Sequence, residues 1–258
     1  MSTTNWIKFC VLGLLWGSSF LWIKIGVQEM GPFTLVTLRV LFSLLGLGVM
    51  SIVKRPDWHL RQYWKTYLFM GLFNIVTPFV LISWSEQHIP SGLASILNST
   101  VPLFTIILAP LFLADDKFTL NKVVGLALGF LGVVALMSNQ LTSNATGSVI
   151  GMITMLLAAV SYAASAVFAR RNTQGLSPAA MALGQMTMAA LIIVPSAAIA
   201  EAPFTLPRLA ISWVAVAWLG LLGTFVATLL FFSLLHSVGP TRTTLVSYIF
   251  PLVGVLLG

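Results

Sequence analysis

Charge is the scarcest commodity in this chain. Only 7% of its 258 residues are charged, and only six are acidic. Soluble domains carry roughly 25% charged residues, so this composition excludes a protein that clothes its surface for water. Cysteine is nearly absent too. Cys10 stands alone, which excludes a disulfide framework and a thiolate metal site. The three histidines are scattered, and neither an H-E-x-x-H nor a paired-acid motif is present. No cofactor and no metal are therefore expected. What fills the chain is apolar: 58% of residues are hydrophobic, with a mean hydropathy of +1.00. An integral membrane protein follows. The formal charge of +7 could suggest a nucleic-acid partner. That reading fails because the basic residues sit between apolar runs, as topology determinants do.

A helix crosses the bilayer core with about 20 apolar residues. Runs of that size lie near 6–27, 33–53, 66–86, 91–114, 121–138, 148–169, 178–200 and 212–237, and a ninth starts at Thr241. Turn chemistry separates them at Gly31-Pro32, Asp115-Asp116, Asn144–Gly147, Ser177-Pro178 and Gly239-Pro240. The first run is longer than a signal peptide's apolar core and no small-residue cleavage site follows it, so it reads as a span. With the N-terminus inside, Lys8, Lys54, Arg55, Arg61, Lys65, Lys117, Lys122, Arg170, Arg171 and Arg242 fall inside. Lys24 and Arg208 fall outside, and Arg39 lies within a span. The asymmetry obeys the positive-inside rule and predicts a cytoplasmic N-terminus.

The breaks recur. An offset of 146 pairs Pro32 with Pro178, Arg39 with Gln185, Trp16-Gly17 with Tyr162-Ala163 and Lys24 with Arg170; further on, an offset of 149 pairs Gly71 with Gly220 and Pro102 with Pro251. Five spans per unit is an odd number, so the second copy must cross the membrane upside down, an arrangement typical of transporters. The expected fold class is an all-α polytopic membrane protein of two inverted five-helix repeats, 1–139 and 147–258. Ten spans are expected and nine present. The span at 121–138 lacks a partner, and the ninth ends about a turn short of its mate, which predicts a chain truncated within its ninth span.

The fourth span holds "SILNSTVPLF", three polar residues and a proline inside an apolar run. Ser95, Asn98, Pro102, Thr105 and Ala109 recur at helical spacing on one face. Adding 149 gives Thr244, Ser247, Pro251, Gly254 and Gly258 on the ninth span. Such faces are tolerated in a membrane where they line a cavity. They serve equally as small-residue packing surfaces between helices, and both readings stand at this point.

Several stretches resemble the EamA-type family of the drug/metabolite transporter superfamily: "LLWGSSFLWIKIG", "GPFTLVTLRVLF", "GLASILNSTVPLFTIILAPLFLADDKFTLNKVVGLALGFLGVVAL" and "GPTRTTLVSYIFPLVGVLLG". The resemblance implies ten helices in two inverted units. It also implies an exporter in the bacterial inner membrane, with amino acids, other metabolites or drugs as the substrate classes. One departure is Asp115-Asp116 in the turn where the family often has Glu.

Arg39 is the one charge well inside a span, and an intramembrane arginine is a functional suspect, or else a brace for carbonyls at a helix break. Asn74, Tyr162, Trp16 and Tyr248 join it as candidate substrate contacts, beside Ser95, Asn98, Pro102, Thr105, Thr244, Ser247 and Pro251. Trp22 and Trp84 are candidates for cavity wall or interfacial belt, and His88 and His236 sit at span ends. Lys24 and Arg170, also near span ends, read as anchors. Glu29, Glu86 and Glu201 sit at or beyond outer ends, which argues against proton exchange through an embedded acid. The expected function is alternating-access export of a small neutral or zwitterionic, amino acid-like metabolite. The alternative is a membrane-embedded lipid-modifying enzyme, disfavoured by short loops and scattered histidines. The expected partners are a small-molecule substrate and the bilayer, with no nucleic acid, in a monomer or homodimer.

Overall fold

Without water to satisfy them, backbone N–H and C=O groups must pair within their own segment, and each apolar run does so as helix. The computed structural model describes residues 1–54, 57, 59–113, 119–141, 146–202 and 205–257, and helix is the only regular element among them. In chain order these are α1 (Thr3–Gly26), α2 (Pro32–Lys54), α3 (Leu60–Met70), α4 (Thr77–His88), α5 (Ser91–Asn98), α6 (Val101–Phe112), α7 (Leu120–Leu141), α8 (Thr146–Asn172) and α9 (Pro178–Ala200). They continue with α10 (Ala210–Ala217), α11 (Ala227–Val238), α12 (Pro240–Thr244) and α13 (Phe250–Leu257). Among the described residues seven helical runs are long and apolar enough to cross a membrane, and Leu120–Gly129 is a shorter apolar stretch. The protein is an all-α polytopic membrane protein. The Asp115-Asp116 turn, Arg55, Lys117, Asn144 and Gly258 lie outside the described residues.

The spans are broken beside several prolines and glycines, while Pro110 and Pro195 lie inside α6 and α9. A π-helical segment at Gly71–Val76 joins α3 to α4, and Pro78 follows it in the first turn of α4. Proline lacks the N–H that would bond the carbonyl four residues back, so the ladder must shift there. A second π-helical segment, Trp218–Val226, joins α10 to α11 around Gly220 and Gly223. Pro102 occupies the first turn of α6 after a break at Ser99-Thr100. Pro251 follows a 3₁₀ segment at Leu245–Ile249. In both places the missing proline donor falls where a helix start has no partner to offer.

Packing repeats in the same order. α2 lies on α9 and on the second π-helical segment, while α9 lies on the first; α1 packs on α11 and α13, and α8 packs on α4 and α6. Large apolar side chains such as Leu45, Val49, Ile52, Leu191 and Ile199 remain exposed on the outside of the bundle, a surface suited to lipid rather than water.

On the face opposite the N-terminus a single acid fastens two helix ends. Glu201, just past α9, accepts hydrogen bonds from the backbone N–H of Phe33 (2.9 Å) and Thr34 (2.8 Å) and from the Thr34 hydroxyl (2.7 Å). These are the orphan donors of the first turn of α2, and a carboxylate there also meets the positive end of the helix dipole. Glu201→Ala is expected to lower stability by about 1–2 kcal/mol, the range for losing a helix N-cap. Thermal unfolding in detergent checks this, and Glu201→Gln, which keeps one acceptor, should lose less.

Candidate functional site

The π-helical segments matter because they present backbone carbonyls to side chains of the neighbouring helices. Arg39, on α2, donates from Nε to Thr224 Oγ1 (2.7 Å) and from Nη2 to the Gly223 carbonyl (3.3 Å). Trp16 on α1 donates its indole N–H to that same carbonyl (3.1 Å). The other segment mirrors this. The Ser161 hydroxyl of α8 donates to the Phe73 carbonyl (2.6 Å), and Asn74 donates its amide to Gln185 Oε1 of α9 (3.1 Å). Phe73 and Asn74 stand 150 positions before Gly223 and Thr224, and Arg39 stands 146 before Gln185. α2 and α9 thus each meet one of the two π-helical segments through a buried polar side chain. Arg39 is buried, and its guanidinium lies 3.7 Å over the ring of Phe79. The brace and the candidate site are one residue.

Of these groups Trp16, Arg39 and Asn74 face a cavity between the helices with about 640 Å³ of non-atom space. Trp16, Arg39, Asn74, Asn98, Tyr162, Thr244 and Ser247 all line it, with Ser19, Phe20, Ile23, Ile82, Phe231 and Phe250 among the rest. Polar groups from several helices converge there on an otherwise apolar wall, the usual make-up of a small-molecule site. Asn98 is the notable member, because its buried Oδ1 has no hydrogen-bond partner among the described residues. Thr244 and Ser247 instead bond back to the carbonyls of Thr241 and Thr244.

Five of the residues singled out from sequence lie away from the cavity lining. Ser95 bonds to the Gly92 carbonyl and meets Gly254, where an added Cβ would sit 2.5 Å from its Oγ; this is a close helix contact of the small-residue kind. Thr105 is buried and bonds to the Val101 carbonyl. Pro102 and Pro251 act as helix starts, and Tyr248 is 48% exposed beside a groove formed with α6 and α7. The polar face of the fourth span therefore divides, with Asn98 in the cavity and Ser95 in the packing. Thr244 and Ser247 face the same cavity from the ninth span.

Two side chains depart from the sequence expectation. Lys24 is not a lipid anchor: its ammonium donates to the carbonyls of Glu86 (2.6 Å) and Ile89 (3.1 Å) and so caps the end of α4. Glu86, expected at a solvated span end, is fully buried. Proximity to a turn along the chain is not proximity to solvent, because α1 and α8 pack over this last turn of α4. Exposed His88 stacks on Trp84 and bonds to its carbonyl, in keeping with a solvated histidine. On the N-terminal face, Lys122, Arg170, His236 and Arg242 line a separate, wider vestibule beside α12.

A bundle of membrane-spanning helices closed around a mixed polar and apolar cavity places the protein among solute transporters. The model of the EamA-like transporter family matches residues 5–138 and again 149–258, and the chain belongs to that family. Among curated relatives, the uncharacterized inner membrane transporter YedA of Escherichia coli (strain K12) is 30% identical over 251 residues, 96% of this chain and 79% of its own length. A probable amino-acid metabolite efflux pump of the same strain is 27% identical over 184 residues, 71% of this chain and 59% of its own. A solved crystal structure superposes on the whole chain and on 88% of its own with a TM-score of 0.72 at 19% identity, a likeness of fold.

Proposed function

We propose that the protein exports a small neutral or zwitterionic, amino acid-like metabolite across a bacterial inner membrane. Two inverted halves would alternate access to the central cavity, with the N-terminus in the cytoplasm. The observation that carries this reading is the pairing within the cavity of one guanidinium with one unpartnered amide oxygen. Arg39 offers N–H groups to a carboxylate in planar fork geometry. Asn98 Oδ1 is an acceptor for an ammonium, and leaving it unsatisfied costs free energy that a donor on the substrate recovers. The apolar remainder suits a modest side chain. The crossed contacts of Arg39 with Thr224 and of Gln185 with Asn74 support the inverted relation of the halves. The efflux-pump relative supports the substrate class and the direction.

The test is transport by the purified full chain in proteoliposomes, using a mixture of ¹⁴C-labelled amino acids. Saturable, protein-dependent flux is expected, and none above empty liposomes would overturn the substrate class. A second expectation concerns the lining. In a Cys10→Ser background, Asn98→Cys and Ser247→Cys should react with small aqueous thiol reagents and be protected by the same amino-acid mixture. Ser95→Cys and Thr105→Cys should stay inert, because those side chains face helix contacts. Inert cysteines at 98 and 247 that only lipid-soluble reagents label would remove the cavity from the pathway.

A further inference from the structure

Phe79, Ile82 and Glu86 follow one another at helical spacing on a single face of α4. Phe79 carries the Arg39 guanidinium, and Ile82 lines the cavity. Glu86 comes one turn further toward the face opposite the N-terminus. Its exposure is zero, and neither carboxyl oxygen has a hydrogen-bond partner among the described residues. The neighbouring ammonium does not supply one: two of the three Lys24 N–H donors go to the backbone carbonyls of Glu86 and Ile89, and none reaches the carboxyl. The charges whose fields reach the carboxyl are that ammonium, from α1, and the Arg39 guanidinium, from α2. Of the other elements packed on α4, α8 presents Tyr162 at the cavity, while α5 and the first π-helical segment carry no ionisable side chain. On α4 itself, His88 is exposed and turned back to Trp84.

A carboxylate fully buried without donors is among the costliest arrangements in a protein, and such a group takes a proton instead. The position gives that proton a consequence. α1 and α4 pack on each other, and Phe20 and Ile23 of α1 and Ile82 of α4 line the cavity within about a turn of Lys24 and Glu86 along their helices. On the alternating-access reading, an outer opening past these side chains separates α1 from α4. Parting them brings water to Glu86, where an ordinary carboxylate ionises; closing them again drives that water out.

We propose that Glu86 is a proton-binding site of the transport cycle, and that closure of the outer gate between α1 and α4 takes up one proton from the outer solution onto its carboxyl. One O–H bond forms on closure and is broken when the proton leaves to water, with no other bond changed. Outer acidity then favours closure behind a departing solute, and reopening of the gate returns the proton to the outer solution. The inference rests on the alternating-access reading, but the state of the gate can be followed without a solute.

The experiment uses Ile82→Cys in the full Cys10→Ser chain, in spheroplasts, with a membrane-impermeant thiol reagent outside. Position 82 should be reached only when the gate is open. Each labelling rate is divided by that of the same cysteine in Glu86→Gln, because thiolate formation raises both alike with pH. Proton linkage of a single site gives up to about tenfold per pH unit above the ordinary carboxylate range. The ratio is therefore expected to climb with pH, and to climb again in Glu86→Asp, which keeps the acid. A ratio flat across pH overturns the proposal. A second measurement needs no substitution: infrared spectra of the purified chain at neutral pH should show a protonated-carboxyl band, and its absence also overturns it. A climbing ratio without amino-acid flux would sink the substrate assignment alone, and a flat ratio with normal flux would sink this inference alone.

Discussion

Arg39→Ala is expected to abolish most transport while leaving the protein folded. The guanidinium ties α2 to the second π-helical segment through Thr224 and Gly223 and presents the only full charge on the cavity wall among the described residues. Hydrogen bonds to charged groups contribute about 1.5–3 kcal/mol. If those bonds are made to the substrate carboxylate, their loss corresponds to roughly 10- to 150-fold in rate. Truncation leaves the Gly223 carbonyl its bond from Trp16, so the structural damage is limited to the Thr224 contact and the ring of Phe79. Arg39→Lys should recover only part of the rate, because lysine keeps the charge without the planar fork. Initial rates per correctly folded molecule, with size-exclusion profiles as the control, decide the matter. A variant that is unstable yet fully active per folded molecule would leave Arg39 with a scaffolding role only.

The second large effect should come from two glycines with no chemistry at all. A Cβ on Gly220 would lie 2.8 Å from the Arg39 carbonyl oxygen and closer still to Phe42 Cβ. A Cβ on Gly71 would lie 2.9 Å from both the Ala189 nitrogen and the Gln185 carbonyl oxygen. Backbone atoms cannot rotate away as a side-chain tip can, so the helices must separate. Gly220→Ala and Gly71→Ala are each expected to cost about 1–3 kcal/mol, the usual penalty for overpacking. They should also slow transport, because the contacts forced apart are those that hold Arg39 and Asn74 at the cavity. Gly48→Ala is the control: a Cβ added there would meet nothing within 4 Å, and alanine in a helix interior is favoured over glycine by about 0.5–1 kcal/mol. If all three substitutions behave alike in thermal unfolding, close approach at the π-helical segments is not what those glycines provide.

Much of this arrangement is legible in the residues. Apolar runs of membrane length gave the helices, because hydrocarbon leaves the backbone no other partner than itself. Pro102 and its repeat mate Pro251 stood out in the sequence and fall at helix starts, where a missing N–H costs nothing, whereas Pro110 and Pro195 lie inside α6 and α9. The offsets of 146 and 149 already joined Arg39 to Gln185 and Gly71 to Gly220, positions that occupy matching places in the helix contacts. Asn98, Ser247, Thr244, Trp16, Tyr162, Asn74 and Arg39 stood out as polar or aromatic residues inside apolar runs, and all line one cavity.

What the residues could not decide is how each helix is turned and how deeply its ends are covered. Ser95 and Asn98 are three positions apart on one helical face, and periodicity alone treats them as equivalent. The approach of Gly254 consigns Ser95 to a packed contact and leaves Asn98 on the cavity. Glu86 is two residues from a helix end, and only the packing of α1 and α8 over that end turns it from a surface acid into a buried one. Composition and local stereochemistry thus determined the membrane class, the helices and their breaks, since those depend on each segment's own solvation. Tertiary structure decided which polar groups share a cavity and which acid loses its water, since those depend on the neighbouring helix that displaces the solvent.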